Sequence, residues 1–246
     1  MCAKRVALGL CEVLLLGAGA GSANAALISD GPPVEHGHGN GMALTVLTLD
    51  SPGKSSSESG CVGWSGSGDV MGGICFGTGV AGGDEQSGAK HTNTITVGSA
   101  GIGSAAELRV VFHPQESKSP GGRSITIDHL VLGIFDAGGA LLFLSGDLAR
   151  PFEIPDVDPL HPSTVYFVFR LDAADLADAE AAFSSPNNHI GLAASVSNAT
   201  GGPDWFSISR GDGGIPEAET PEPATYLLTV LGLVAVDLVR RRKRKG

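Results

Sequence analysis

Cys61 and Cys75 are the chemically most specific pair in the body of this chain, 14 residues apart and flanked by Gly60 and by Gly73-Ile74. In an oxidising compartment such a pair closes a disulfide, and a loop of this size gains about 3 kcal/mol in the chain-entropy account. Metal ligation is the competing chemistry, but no C-x-x-C and no nearby histidine cluster supports it. Carboxylates are plentiful, so a glycosidase pair has many candidates, none of which spacing can select; solvated surface acids are the simpler reading. Glu153, Asp156 and Asp158 share one loop and offer hard oxygen ligands for calcium, without forming an EF-hand. His36 and His38 stand in a glycine-rich stretch that reads as a solvated linker. Trp64 and Trp205 can stack on sugar rings if exposed, with core packing the expectation for Trp205 beside Phe206.

Nucleophilic catalysis needs an activated nucleophile, a base and a group to orient it. The sequence has no G-x-S-x-G, H-E-x-x-H, Walker loop or Rossmann fingerprint. Ser65 and Ser67, in the glycine run 63–68, read as part of a flexible loop. The phrase GSAGIG at 98–103 lies between strand-like segments rather than between a strand and a helix. The body therefore reads as non-enzymatic, with no resident cofactor and calcium as the one candidate ion.

The elements that must position these residues are mostly strands. β-branched and aromatic runs mark strands over 42–49, 92–97, 107–113, 124–135, 140–145, 165–171, 190–197 and 204–209. The turn at 136–139 joins 124–135 and 140–145 into a hairpin. In the glycine-rich stretch 61–88 the best short strand is 74–76. Residues 50–60 read as a loop, and 151–162 as an acidic, proline-rich connection. One helix is expected: Asp172 stands at an N-cap, and Leu176, Ala179 and Phe183 form a narrow apolar stripe. Short strands, glycine turns and one short helix predict a mainly β fold, an antiparallel β-sandwich and possible jelly roll.

Both ends read as address labels. Residues 1–25 have the form of a secretory signal peptide: Lys4 and Arg5, an apolar stretch centred on 13–16, then Ala23-Asn24-Ala25 as an A-x-A site with cleavage after Ala25. Leu10 before Cys11 argues against a lipoprotein box. At the other end, Pro221-Glu222-Pro223 precedes an apolar run of 16 residues, 224–239, and then Arg240, Arg241, Arg242, Lys243, Arg244 and Lys245. As a helix the run is about 24 Å long, slightly short of a usual span, with snorkelling arginines to make up the difference. The basic cluster belongs on the cytoplasmic side, which leaves the body exported.

This order of motif, span and basic cluster resembles the PEP-CTERM sorting signal of Gram-negative bacteria. The resemblance implies recognition and cleavage by an exosortase, a membrane-embedded cysteine transpeptidase, with Pro221, Glu222 and Pro223 as the recognition motif. Asp237 departs from the family pattern, but stands at the i,i+3 spacing that lets it pair with Arg240. The resemblance covers about a tenth of the chain. An uncleaved membrane anchor remains the alternative use of the same tail.

The organisation expected is a signal peptide (1–25), a flexible lead (26–40), a β domain (41–210), a spacer (211–219) and the sorting signal (220–246). Of 16 Lys and Arg, eight lie in the body; of 26 Asp and Glu, 23 do, for a net charge of −15 against −10 for the whole chain. So acidic a surface repels nucleic acid and anionic headgroups, and is compatible with neutral polysaccharide. The expected partners are an exosortase, the inner membrane through the tail, and exopolysaccharide. The expected role is structural or adhesive at the cell surface or in the matrix, with a secreted hydrolase of matrix sugars, using two carboxylates, as the alternative.

Overall fold

Side chains alternate sides along a strand, so Val110 and Phe112 in one segment, and Phe167 and Phe169 in another, fall on one face of a sheet. The computed structural model describes residues 26–32, 34–35, 43–50, 56–88, 90–115, 124–154, 165–199 and 201–211. In chain order the described strands begin with β1 (Leu27–Ser29), β2 (Val34–Glu35), β3 (Leu44–Leu49), β4 (Ser57–Trp64), β5 (Asp69–Met71), β6 (Ile95–Thr96) and β7 (Leu108–His113). They continue with β8 (Ile125–Phe135), β9 (Leu141–Leu144), β10 (Phe152–Ile154), β11 (Val165–Leu171), β12 (His189–Ser197) and β13 (Asp204–Arg210). The described helix is α1 (Ala173–Ala179), continued by a 3-10 turn over Glu180–Phe183.

The strands form two antiparallel sheets. One runs β1-β11-β7-β13-β3, with β2 also on β11. The other runs β10-β8-β12-β4-β5, with β6 on β12 and β9 on β8. Phe112, Phe169 and Phe206 of the first sheet share one buried cluster with Leu130, Leu132, Ile134 and Leu192 of the second. Burying each such side chain is worth about 1.5–3 kcal/mol, which makes this shared core the main stabilising feature.

The clearest sequence signals match what forms. Asp136 closes the β8–β9 turn: its carbonyl accepts from the Gly139 amide at 3.0 Å and its carboxylate from the Ala140 amide at 2.8 Å. Asp172 caps α1, accepting from the Ala174 and Asp175 amides at 2.9 and 2.8 Å. Ala179 and Phe183 are buried, and Leu176 packs against the same core.

Other expectations need correction. The stretch read as a flexible lead contains β1 and β2, and Asp30 just after β1 bridges Arg109 and Arg170 at 2.6 and 2.9 Å. Residues 57–60, read as loop, begin β4, which pairs β12 from Leu192↔Val62 to Ser197↔Ser57. Residues 152–154, read as connection, are β10 on β8. The 74–76 strand reduces to one bridge, Ile74↔Ala81, with Ile74 79% exposed. The 92–97 strand contracts to Ile95–Thr96. The signal helix and the C-terminal membrane helix fall outside the described residues. Among the described residues no helix is long and apolar enough to cross a membrane.

Candidate functional site

The second sheet carries the chemistry on one face and at one end. Cys61 and Cys75 are joined in a disulfide, with Cα atoms 5.7 Å apart. The bond pins the glycine-rich segment after β5 onto the sheet, where both sulfurs pack with Val80, Val131 and Ala193. Glu85 holds the same segment: its Oε1 accepts from the Cys61 amide at 2.7 Å and the Gly72 amide at 3.1 Å. Cys61, Cys75 and Glu85 also have metal-ligand proximity, all three ligand atoms lying within 4.8 Å of one another. Metal ligation requires thiolates, and the disulfide engages both sulfurs.

Beside the disulfide the sheet is hollowed by glycine. Gly191 and Gly133 are register partners on β12 and β8, and Gly63 lies on β4. The hollow holds the edge-on pair Phe76 and Phe135, with ring centroids 5.4 Å apart. A Cβ on Gly63 would come within 2.8 Å of Phe76, and one on Gly133 within 3.1 Å of Phe135.

At the end of the sheet Trp64 lies flat on His189, with centroids 3.8 Å apart and planes 4° apart. The indole N–H donates to the Ala137 carbonyl at 3.1 Å. The loop after Trp64 presses directly on the β8–β9 turn. A Cβ on Gly66 would sit 2.2 Å from the Gly138 carbonyl oxygen, and one on Gly139 2.4 Å from the Ser65 carbonyl carbon. Both glycines also have positive φ, 86° and 90°, a conformation disfavoured for other L-residues. The run expected to be a flexible loop is thus a fitted one, closed by Ser65 Oγ on the Gly68 carbonyl at 2.8 Å.

Behind the stack runs a polar chain. The Thr94 hydroxyl lies 2.6 Å from Asp69 Oδ1 and 3.0 Å from His189 Nδ1. A carboxylate only accepts, so the single hydroxyl proton goes to Asp69 and His189 Nδ1 carries a proton that it donates to Thr94. Burial holds the His189 pKa below its usual 6.5, while Asp69 draws it back up. The neutral ring therefore keeps Nε2 as an acceptor at pH 7. The end of the sheet combines an aromatic plate, a hydrogen-bond acceptor and a carboxylate. Ligand-binding sites in general combine an apolar surface with a few fixed polar groups in this way.

A second constellation lies on β8. His129 Nδ1 meets Asp147 Oδ2, and Asp147 Oδ1 accepts from the Leu130 and Leu148 amides at 3.0 and 2.8 Å. Ser195 is the register partner of His129, beside a β-bulge. The residue types of an acyl-transfer triad are therefore neighbours, but among the described residues the serine–histidine hydrogen bond that activates a nucleophile is not made.

The remaining sequence candidates scatter. Glu153 is an exposed residue of β10. Trp205 leaves the core to Phe206 and stacks on His113 instead, with centroids 5.2 Å apart. His36, His38, Asp156, Asp158, Ala23, Ala25, Pro221, Glu222, Pro223 and the basic run from Arg240 to Lys245 lie outside the described residues. Sequence reasoning missed how the acids are used. Asp69, Asp84, Glu85, Asp136, Asp147 and Asp172 all accept from backbone amides and fix loops. Aspartates beside glycine turns are the sequence signal for this use. Comparison with models of known protein families, with curated proteins and with solved structures finds no match to this chain.

Proposed function

We propose that this chain is an exported surface or extracellular-matrix protein of a Gram-negative bacterium. It is sorted through its PEP-CTERM-like tail and released by an exosortase-type transpeptidase. The observation that carries this reading is the two-label arrangement around one acidic body, an A-x-A leader before it and the motif, span and basic cluster after it. The disulfide supports it, since such bonds persist outside the reducing cytosol. We read the body as a β-sandwich that binds neutral exopolysaccharide at the Trp64 end of the second sheet. In this reading one indole face rests on His189 and the other meets a sugar ring, with Asp69 and His189 Nε2 accepting hydrogen bonds from its hydroxyls.

On the host's own exopolysaccharide, by affinity electrophoresis, Trp64→Ala is expected to weaken retention about tenfold, or about 1.4 kcal/mol. Trp205→Ala, on the other sheet, should leave retention unchanged. Equal retention of the wild type and the Trp64 variant would remove this binding site.

A further inference from the structure

Ala26 is 4% exposed, and its backbone nitrogen lies 3.2 Å from Asp172 Oδ2. The cap geometry explains why that oxygen is free for it: Asp172 Oδ1 takes the two helix amides of α1. The Asp172 amide returns a bond to the Ala26 carbonyl at 3.1 Å, and Ala26 also bridges Gly146. Asp175, one turn along α1, is 2% exposed, and its Oδ2 has no hydrogen-bond partner among the described residues. A buried, unpaired carboxylate oxygen is costly. Asp172 thus touches the Ala26 nitrogen directly, and Asp175, with one unpaired oxygen, lies beside Asp172 and Gly146, the bridge partner of Ala26.

We propose that Ala26 is the mature N-terminus, and that Asp172 and Asp175 form the binding site for its α-ammonium group. The inference rests on the export reading given above. In the cleavage, a signal peptidase adds water across the Ala25–Ala26 peptide bond. The water's hydroxyl goes to the Ala25 carbonyl carbon and its hydrogen to the Ala26 nitrogen; the new acid's proton then moves to that amine. A one-proton amide becomes a cation with three donors, enough for both carboxylates. The leader's removal thereby fastens the edge strand β1 to α1 and to the segment after β9.

The electrostatics fit a missing cation. With an amide at Ala26, burial pushes the Asp175 carboxyl up to about 6, the Asp172 charge adds to the rise, and the nearby Gly146 amide opposes it. Asp178 adds to the negative field. The other charged groups nearby are engaged elsewhere: Asp147 with His129, and Arg170 with Asp30. An ammonium held this way titrates above its unfolded value. Its stabilisation is complete below the unfolded value of about 7.7–8.0 and disappears as pH rises through the folded one.

The test uses the full chain, exported and processed in a Gram-negative host. N-terminal sequencing comes first: a start other than Ala26 overturns the cleavage site and, with it, this proposal. On protein that starts at Ala26, the α-amine is acylated at pH 7 with an activated ester and counted by peptide mass spectrometry. Acylation is expected to be at least about tenfold slower than in urea, since each unit of raised pKa removes tenfold of the free amine. Asp172→Asn keeps a capping side chain and Asp175→Asn keeps the shape; each should restore much of the reactivity and lower the amine's titration midpoint. Protection that neither variant changes, or an α-amine as reactive as in urea, overturns the ammonium site while leaving export intact.

Discussion

Replacing Gly191 with alanine is expected to destabilise the domain by about 3 kcal/mol, the upper range for overpacking a core. A Cβ there would lie 2.3 Å from the Val62 carbonyl oxygen and 3.1 Å from the Phe135 ring. The nearer atom is backbone in the paired strand β4, so no rotamer change relieves the clash. Either β4 moves off β12, breaking the ladder from Leu192↔Val62 onward, or Phe135 leaves the hollow and Phe76 with it. With a total stability of about 5–15 kcal/mol, that is a large share. Gly68→Ala is the control, because a Cβ at Gly68 meets nothing within 4 Å. Urea unfolding followed by tryptophan fluorescence should show a much lower midpoint for Gly191→Ala and little change for Gly68→Ala. Equal midpoints would mean that the close approach of β4 and β12 is not as described.

Reduction of Cys61–Cys75 is expected to have an effect of similar size, about 3 kcal/mol for a loop of this length. Two further losses accompany it. The segment after β5 keeps only the hydrogen bonds of Asp84 and Glu85 to β4 in place of its covalent tie, and the apolar surface of Val131 and Ala193 is uncovered. The measurement is the urea midpoint with and without reductant, repeated on the double variant Cys61→Ala, Cys75→Ala. The wild type should shift on reduction, whereas the variant should start low and not shift. A wild-type midpoint insensitive to reductant would show that the cross-link contributes nothing to the fold.

The parts of the fold that were legible in the sequence are those where local preference and tertiary context agree. β7, β8, β11 and β12 carry β-branched and aromatic residues in runs long enough to identify, and Asp172 announces α1 through its capping chemistry. The parts missed are those where context overrides preference. β4 reads SESGCVGW, a poor strand by composition. It is a strand because β12 pairs it along its length and the disulfide-pinned segment covers it. β1 and β10 are three residues each, and their partners lie 142 and 27 positions away at Ile28↔Arg170 and Glu153↔Thr126. No local signal can report such pairings. Ile74 belongs to the short strand expected over 74–76, yet the disulfide fixes Cys75 inward and Ile74 faces solvent.

The same division holds for the candidate site. The cysteine pair was legible because spacing and glycine flanks are local facts. The Trp64–His189 stack was not, since it joins residues 125 positions apart through the pairing of β12 with its neighbours. Asp69 and Thr94 join it from two further segments. The proposed address labels at the two termini, by contrast, rest on contiguous motifs alone and lie outside the described residues.

The central claim, that the tail is a sorting signal, is tested most directly by intact mass spectrometry of the protein from its native host, in separate envelope and extracellular fractions. The account predicts an extracellular species whose mass ends near Pro221–Pro223, without the basic cluster. A protein found only in the envelope, with a mass that still includes Arg240 to Gly246, would contradict it and make the tail a permanent membrane anchor.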